Sequence, residues 1–77
     1  MYKNDLQDYL WPGLNLNRYE VIKILPQDRN FAAIIMKSRN QTDTLWCLEY
    51  IGNGHYFDTK KELLEFYEQK FKRKLVI

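Results

Sequence analysis

The spacing of apolar residues changes along the chain, and each change predicts an element. Between residues 4 and 11, Leu6, Tyr9 and Leu10 recur at helical spacing. Asn4 or Asp5 is placed to cap that segment and Pro12-Gly13 to stop it, so a short N-terminal helix is expected. From Tyr19 to Leu25 the residues are mostly β-branched or aromatic, and Pro26-Gln27-Asp28 then favours a turn, which marks a first strand. The run Phe31 to Lys37 is apolar on both alternating faces, as in a central strand covered on both sides. After the polar break Ser38 to Asp43, the stretch from Thr44 to Ile51 sets Trp46, Leu48 and Tyr50 against Leu45, Cys47 and Ile51, with Glu49 the one charge among the second set.

Gly52-Asn53-Gly54 offers the backbone freedom of a positive-φ turn, and His55-Tyr56-Phe57 is either a short returning strand or the approach to the last element. Thr59-Lys60-Lys61-Glu62 has the form of a capping box, in which hydroxyl and carboxylate satisfy amides at a helix start. Leu63, Leu64, Phe66, Tyr67 and Phe71 then form an apolar stripe at helical spacing. The order helix, three or four antiparallel strands, helix predicts an α+β fold of two layers, with the C-terminal helix packed on one face of a meander.

Length and composition narrow this picture. Seventy-seven residues make a single domain, 1–77, and 45% hydrophobic, 29% charged residues with 3 Gly and 2 Pro are a folding mixture rather than a disordered one. A domain of this size has a stability on the order of a few kcal/mol, so a second copy or a partner would add usefully to it. The net charge of +2 is uneven: Lys70, Lys72, Arg73 and Lys74 are basic, while residues 1–69 carry eight basic against ten acidic groups. Cations at the last turn complement a helix dipole or, alternatively, meet phosphate. Cys47 is the single cysteine and sits in an apolar run, which suits a reducing, cytoplasmic setting. No stretch reaches membrane-spanning length and the N-terminus lacks the order of a secretory signal, so neither membrane insertion nor export is expected.

The residues for chemistry are few. One His, one Cys and one Ser leave no triad to assemble, a Cys47–His55 pair would have to form inside a strand, and zinc would lack donors. Gly52-Asn53-Gly54 is not a phosphate-binding loop. The expectation is therefore no enzyme, no cofactor and no metal, and a protein that works by contact.

Two constellations suggest what it contacts. Gln7-Asp8-Tyr9-Leu10-Trp11 resembles the short peptide by which bacterial replication proteins dock on the DNA polymerase sliding clamp, with Gln7 and Leu10 matching and Trp11 standing where Phe is usual. That resemblance implies that Leu10 and Trp11 fill an apolar pocket while the Gln7 amide bonds its rim. The alternative is that Leu6, Tyr9, Leu10 and Trp11 pack on the sheet. Lys60-Lys61 at a helix start, with the helix–strands–helix order, is similar to a double-stranded-RNA-binding domain, which implies phosphate contacts; Leu64 stands where that family has a further Lys, and Glu62, Glu65 and Glu68 oppose phosphate.

Six Tyr, two Trp and four Phe exceed what a small core holds, so some are expected at an interface, with Trp46, Tyr50, Tyr56 and Tyr67 as candidates. Brevity and the Lys, Asn, Ile and Tyr usage resemble in style the small host-modulating proteins of bacteriophages. That resemblance implies an inhibitor of host DNA replication acting on the sliding clamp through Gln7, Leu10 and Trp11, with Trp46, Tyr50 and Tyr56 adding contacts. The alternative is nucleic-acid binding through Lys60, Lys61, Lys70, Lys72, Arg73 and Lys74. A third possibility is a homodimer whose aromatic face serves only self-association. The apolar terminus Leu75-Val76-Ile77 would fray or pair with another copy's sheet edge.

Overall fold

The alternating runs become a four-stranded antiparallel meander. The computed structural model describes residues 6–40 and 45–77. In chain order they form a 3-10 turn Leu6–Tyr9, strands β1 (Tyr19–Pro26), β2 (Ala32–Ser38), β3 (Trp46–Tyr50) and β4 (Asn53–Phe57), and helix α1 (Lys60–Phe71), with sheet order β1-β2-β3-β4. The segment His55 to Phe57 is thus a returning strand. The predicted cap at Asn4 or Asp5 and the strand start at Thr44 lie outside the described residues.

The expected N-terminal helix is a four-residue 3-10 turn. Between its start and Pro12 the segment is far shorter than the dozen or so residues that make a helix stable in water. It also has to lay Tyr9, Leu10, Trp11 and Leu14 on the sheet together, which one helical stripe does not do. As a consequence the sheet is covered on both faces rather than one, and the two-layer expectation is corrected.

Each face has its own apolar cluster. On one, Tyr9, Leu14, Tyr19, Ile24, Ala32, Ile34, Met36 and Cys47 are buried beneath the N-terminal segment. On the other, Ala33, Ile35 and Leu48 meet Leu63 and Tyr67 of α1 and Leu75 beyond it. Alternate residues of β2 serve the two clusters, so five consecutive residues, Ala32 to Met36, are buried. In β1 the register shifts between Val21 and Lys23, a bulge at Ile22. One inserted residue reverses the alternation, so Val21 and Ile24 serve the first cluster and Leu25 the second.

Helix α1 starts where the capping box predicts. The Thr59 hydroxyl accepts the Glu62 amide at 3.2 Å, although the Glu62 carboxylate takes the Thr59 hydroxyl proton at 3.1 Å instead of the cap amide. It ends at Lys72, left-handed at φ 58°, whose amide bonds the Glu68 carbonyl at 3.0 Å. That reversal sends the terminus back along the helix. Leu75 is buried, Lys23 Nζ reaches the Val76 carbonyl and Lys60 Nζ the Ile77 carbonyl, each at 3.1 Å. The terminus therefore packs on its own domain through Leu75 and these two bonds, while Val76 is exposed.

Candidate functional site

A concavity opens at one end of the sheet, on the face covered by the N-terminal segment. It is a cleft of about 360 Å³ with walls from three separate connections: Asp8 to Trp11, Asn30 to Ala32 at the β1–β2 hairpin, and Ile51-Gly52 at the β3–β4 turn. Phe31 and Ile51 are each about half exposed, at 43% and 50%, so large apolar groups stand at its mouth.

Local chemistry fixes every wall. Tyr9 is buried and its hydroxyl donates to the Asp28 carbonyl at 3.2 Å, tying the first wall to the second. The Asp28 carboxylate accepts the amides of Asn30 at 2.7 Å and Phe31 at 2.8 Å, an Asx turn that sets the direction of Phe31. From the opposite face Gln27 donates to the Tyr67 hydroxyl at 2.8 Å, so the hairpin is held on both sides of the sheet.

The third wall carries strain. Tyr50 and Asn53 pair across a two-residue connection in which both Ile51 (φ 49°) and Gly52 (φ 75°) are left-handed. Both angles match a type I′ hairpin turn, whose first central position favours Asn, Asp or Gly. A β-branched residue there is an outlier, costing on the order of 1–2 kcal/mol. The turn falls one residue earlier than the glycines suggest, and Gly54 belongs to β4. A Cβ at Gly54 would lie 2.7 Å from Glu49 Oε1, so its missing side chain leaves room for that carboxylate.

The sequence-derived candidates do not form one patch. Leu10 and Trp11 line the cleft, half-buried against the first cluster, while Gln7 is exposed on the other side of the turn beside Val21 to Ile24. Trp46 and Tyr50 lie on the opposite, helix-covered face: Tyr50 meets Phe71 edge-on at 5.0 Å, and Lys37 Nζ lies 5.8 Å from the Trp46 ring. Burial, with the charge of Asp28, raises the Tyr50 phenol pKa. Tyr67 is buried at 3% exposure. Tyr56 is 58% exposed on the first face, with Tyr19 6.3 Å away, and Cys47, burial and Glu49 raise its pKa. Phe31 and Ile51, which complete the cleft, read in the sequence as strand ends.

The basic residues divide as well. Lys60 and Lys61 open α1, Lys70 is in its last turn, and Lys72, Arg73 and Lys74 follow it. At 1.5 Å per residue Lys70 lies roughly 14–15 Å along the helix axis from Lys60 and Lys61. Exposed Glu62, Glu65 and Glu68 stand between them.

Cys47 and His55 project from opposite faces, because Cys47 pairs with Tyr56 and His55 with Leu48. The Cys47 thiol is fully buried and lies 3.7 Å from Glu49 Oε1. Burial first, and then the Glu49 charge and hydrogen bond, push its pKa from the ordinary 9.0 up to about 12. The folded state thus favours the neutral thiol more than the unfolded state does. Its contribution to stability is complete below pH 9 and is lost as pH rises from 9 towards 12. The urea midpoint of the protein is expected to fall over that window, and to fall less in Cys47→Ala, as followed by circular dichroism.

Among the described residues no three His, Cys, Asp or Glu side chains are grouped to hold a metal ion, and no helix is long and apolar enough to cross a membrane. No family model, curated protein or solved structure matches the chain, so the functional reading rests on its own residues.

Proposed function

We propose that this chain is a protein-binding module without catalytic activity, and that the cleft bounded by Trp11, Phe31 and Ile51 is where its partner docks. The observation that carries this reading is the cost of the cleft. Ile51 occupies a left-handed turn position that Asn or Gly fills without strain, and it keeps a large apolar side chain at the mouth. Strain retained beside an open apolar cleft is what a recognition surface, rather than a folding requirement, accounts for.

A second mode, which dismantles that cleft instead of filling it, is that of a phage-type inhibitor of host DNA replication acting on the DNA polymerase sliding clamp, as the resemblance of Gln7-Asp8-Tyr9-Leu10-Trp11 suggests. Exposed Gln7 and the half-buried Leu10 and Trp11 supply the peptide for it. Docking in that mode lifts Leu10 and Trp11 away from the first cluster. Nucleic-acid binding is the alternative; its cations are split between the two ends of α1 with three carboxylates between them, an arrangement that weakens any attraction for phosphate.

The test is calorimetric titration of purified bacterial sliding clamp with the wild type and with the Leu10→Ala/Trp11→Ala variant, whose fold is checked by circular dichroism. Binding by the wild type that drops at least about tenfold in the variant, equivalent to 1.4 kcal/mol, is expected. Absence of wild-type binding removes the clamp. If everything captured from a lysate is lost on nuclease treatment, the protein-binding reading falls with it.

A further inference from the structure

The cleft also carries information about what fits it. Its one charged lining residue is Asp8, which is exposed and has no hydrogen-bond or ion-pair partner among the described residues. On the facing hairpin the Asp28 carboxylate is occupied by two backbone amides, and exposed Arg29 lies outside the lining. The mouth therefore combines ring and aliphatic walls with a carboxylate at the edge that is unpaired among the described residues.

Resting on the docking reading above, we propose that the cleft takes one bulky apolar side chain of a partner protein that has a lysine or arginine next to it, with Asp8 meeting the cation. Three features support this occupant. The volume of about 360 Å³ is at the small end of ligand sites, suited to a single anchoring side chain rather than a large cofactor. The walls are held before binding by the Tyr9–Asp28 bond, the Asx turn at Phe31 and the fixed turn at Ile51, so little ordering remains to oppose docking. Trp11 lines the same cleft as Asp8, so an aromatic ring and a carboxylate border one opening, a combination that suits a cation.

Blocked dipeptides are sufficient probes. N-acetyl-Phe-Arg-amide and N-acetyl-Phe-Glu-amide are titrated into the intact chain by NMR, following the Trp11 indole N–H, which is assigned by its persistence in Trp46→Phe. The expected result is saturable movement of the Trp11 signal by both, with the arginine peptide binding about two- to fivefold more tightly, the range of an exposed ion pair. In Asp8→Asn that preference disappears while the arginine peptide still binds, and added salt reduces it in the wild type. Equal affinities in the wild type overturn the assignment of a cationic neighbour and leave docking intact. No movement of the Trp11 signal up to the solubility limit of either peptide overturns docking at this cleft.

Discussion

Replacing Leu63 with alanine is expected to remove about 2–5 kcal/mol from the free energy of unfolding. Leu63 is fully buried and packs with Ala33, Ile35 and Leu48, so it joins α1 to the middle of the sheet. The cavity left behind cannot close easily. Ala33 and Ile35 sit on β2, whose opposite side is packed beneath the N-terminal segment, and Ala33 has no spare side chain to swing into the gap. A domain of 77 residues has a total stability of about 4–12 kcal/mol, so this one substitution approaches the limit of what the fold tolerates. Urea unfolding followed by circular dichroism measures it, and Leu63→Met, which keeps most of the volume, is expected to cost under about 1.5 kcal/mol. A loss below about 1 kcal/mol for the alanine variant would mean that α1 is held elsewhere than at Leu63.

Ile51→Asn is expected to act in the opposite direction on stability, raising it by about 1–2 kcal/mol. The change creates Asn-Gly at the central positions of a type I′ turn, the preferred pair for this connection, and removes the clash of a branched side chain at φ 49°. Ile51 is half exposed, so little buried apolar surface is lost. The same variant takes away one wall of the cleft, so binding of N-acetyl-Phe-Arg-amide is expected to weaken while the thermal midpoint rises. A stabilised variant with undiminished peptide binding would separate Ile51 from docking. A destabilised one would show that the turn is not strained.

Much of the fold is legible in the sequence because it follows from periodicity. The Leu63 and Tyr67 stripe, the Trp46-Leu48-Tyr50 alternation and the two-sided run Ala32 to Met36 each place side chains by a rule that needs no knowledge of the rest of the chain. What escapes is the cover on the second face. Leu6 to Tyr9 is too short for a period, and Tyr9, Leu10, Trp11 and Leu14 reach the sheet through turns that only the sheet itself defines. The bulge at Ile22 escapes for the same reason, since it is the pairing with Met36 and Ile35 that reveals the extra residue. The site is half legible. Leu10 and Trp11 stand out as an apolar pair next to Pro12, but Phe31 and Ile51 look like strand ends until the hairpin and the turn bring them to the cleft.

The two-sided burial of β2 has a consequence for how the chain tolerates change. At most positions of this domain a new side chain faces one interior or the solvent. Along Ala32 to Met36, neighbouring residues answer to different interiors, one built by a helix and the other by an irregular strap, and the backbone cannot shift to ease one without disturbing the other. This strand therefore has the narrowest range of acceptable substitutions, and libraries that vary the chain will retain the fewest variants there.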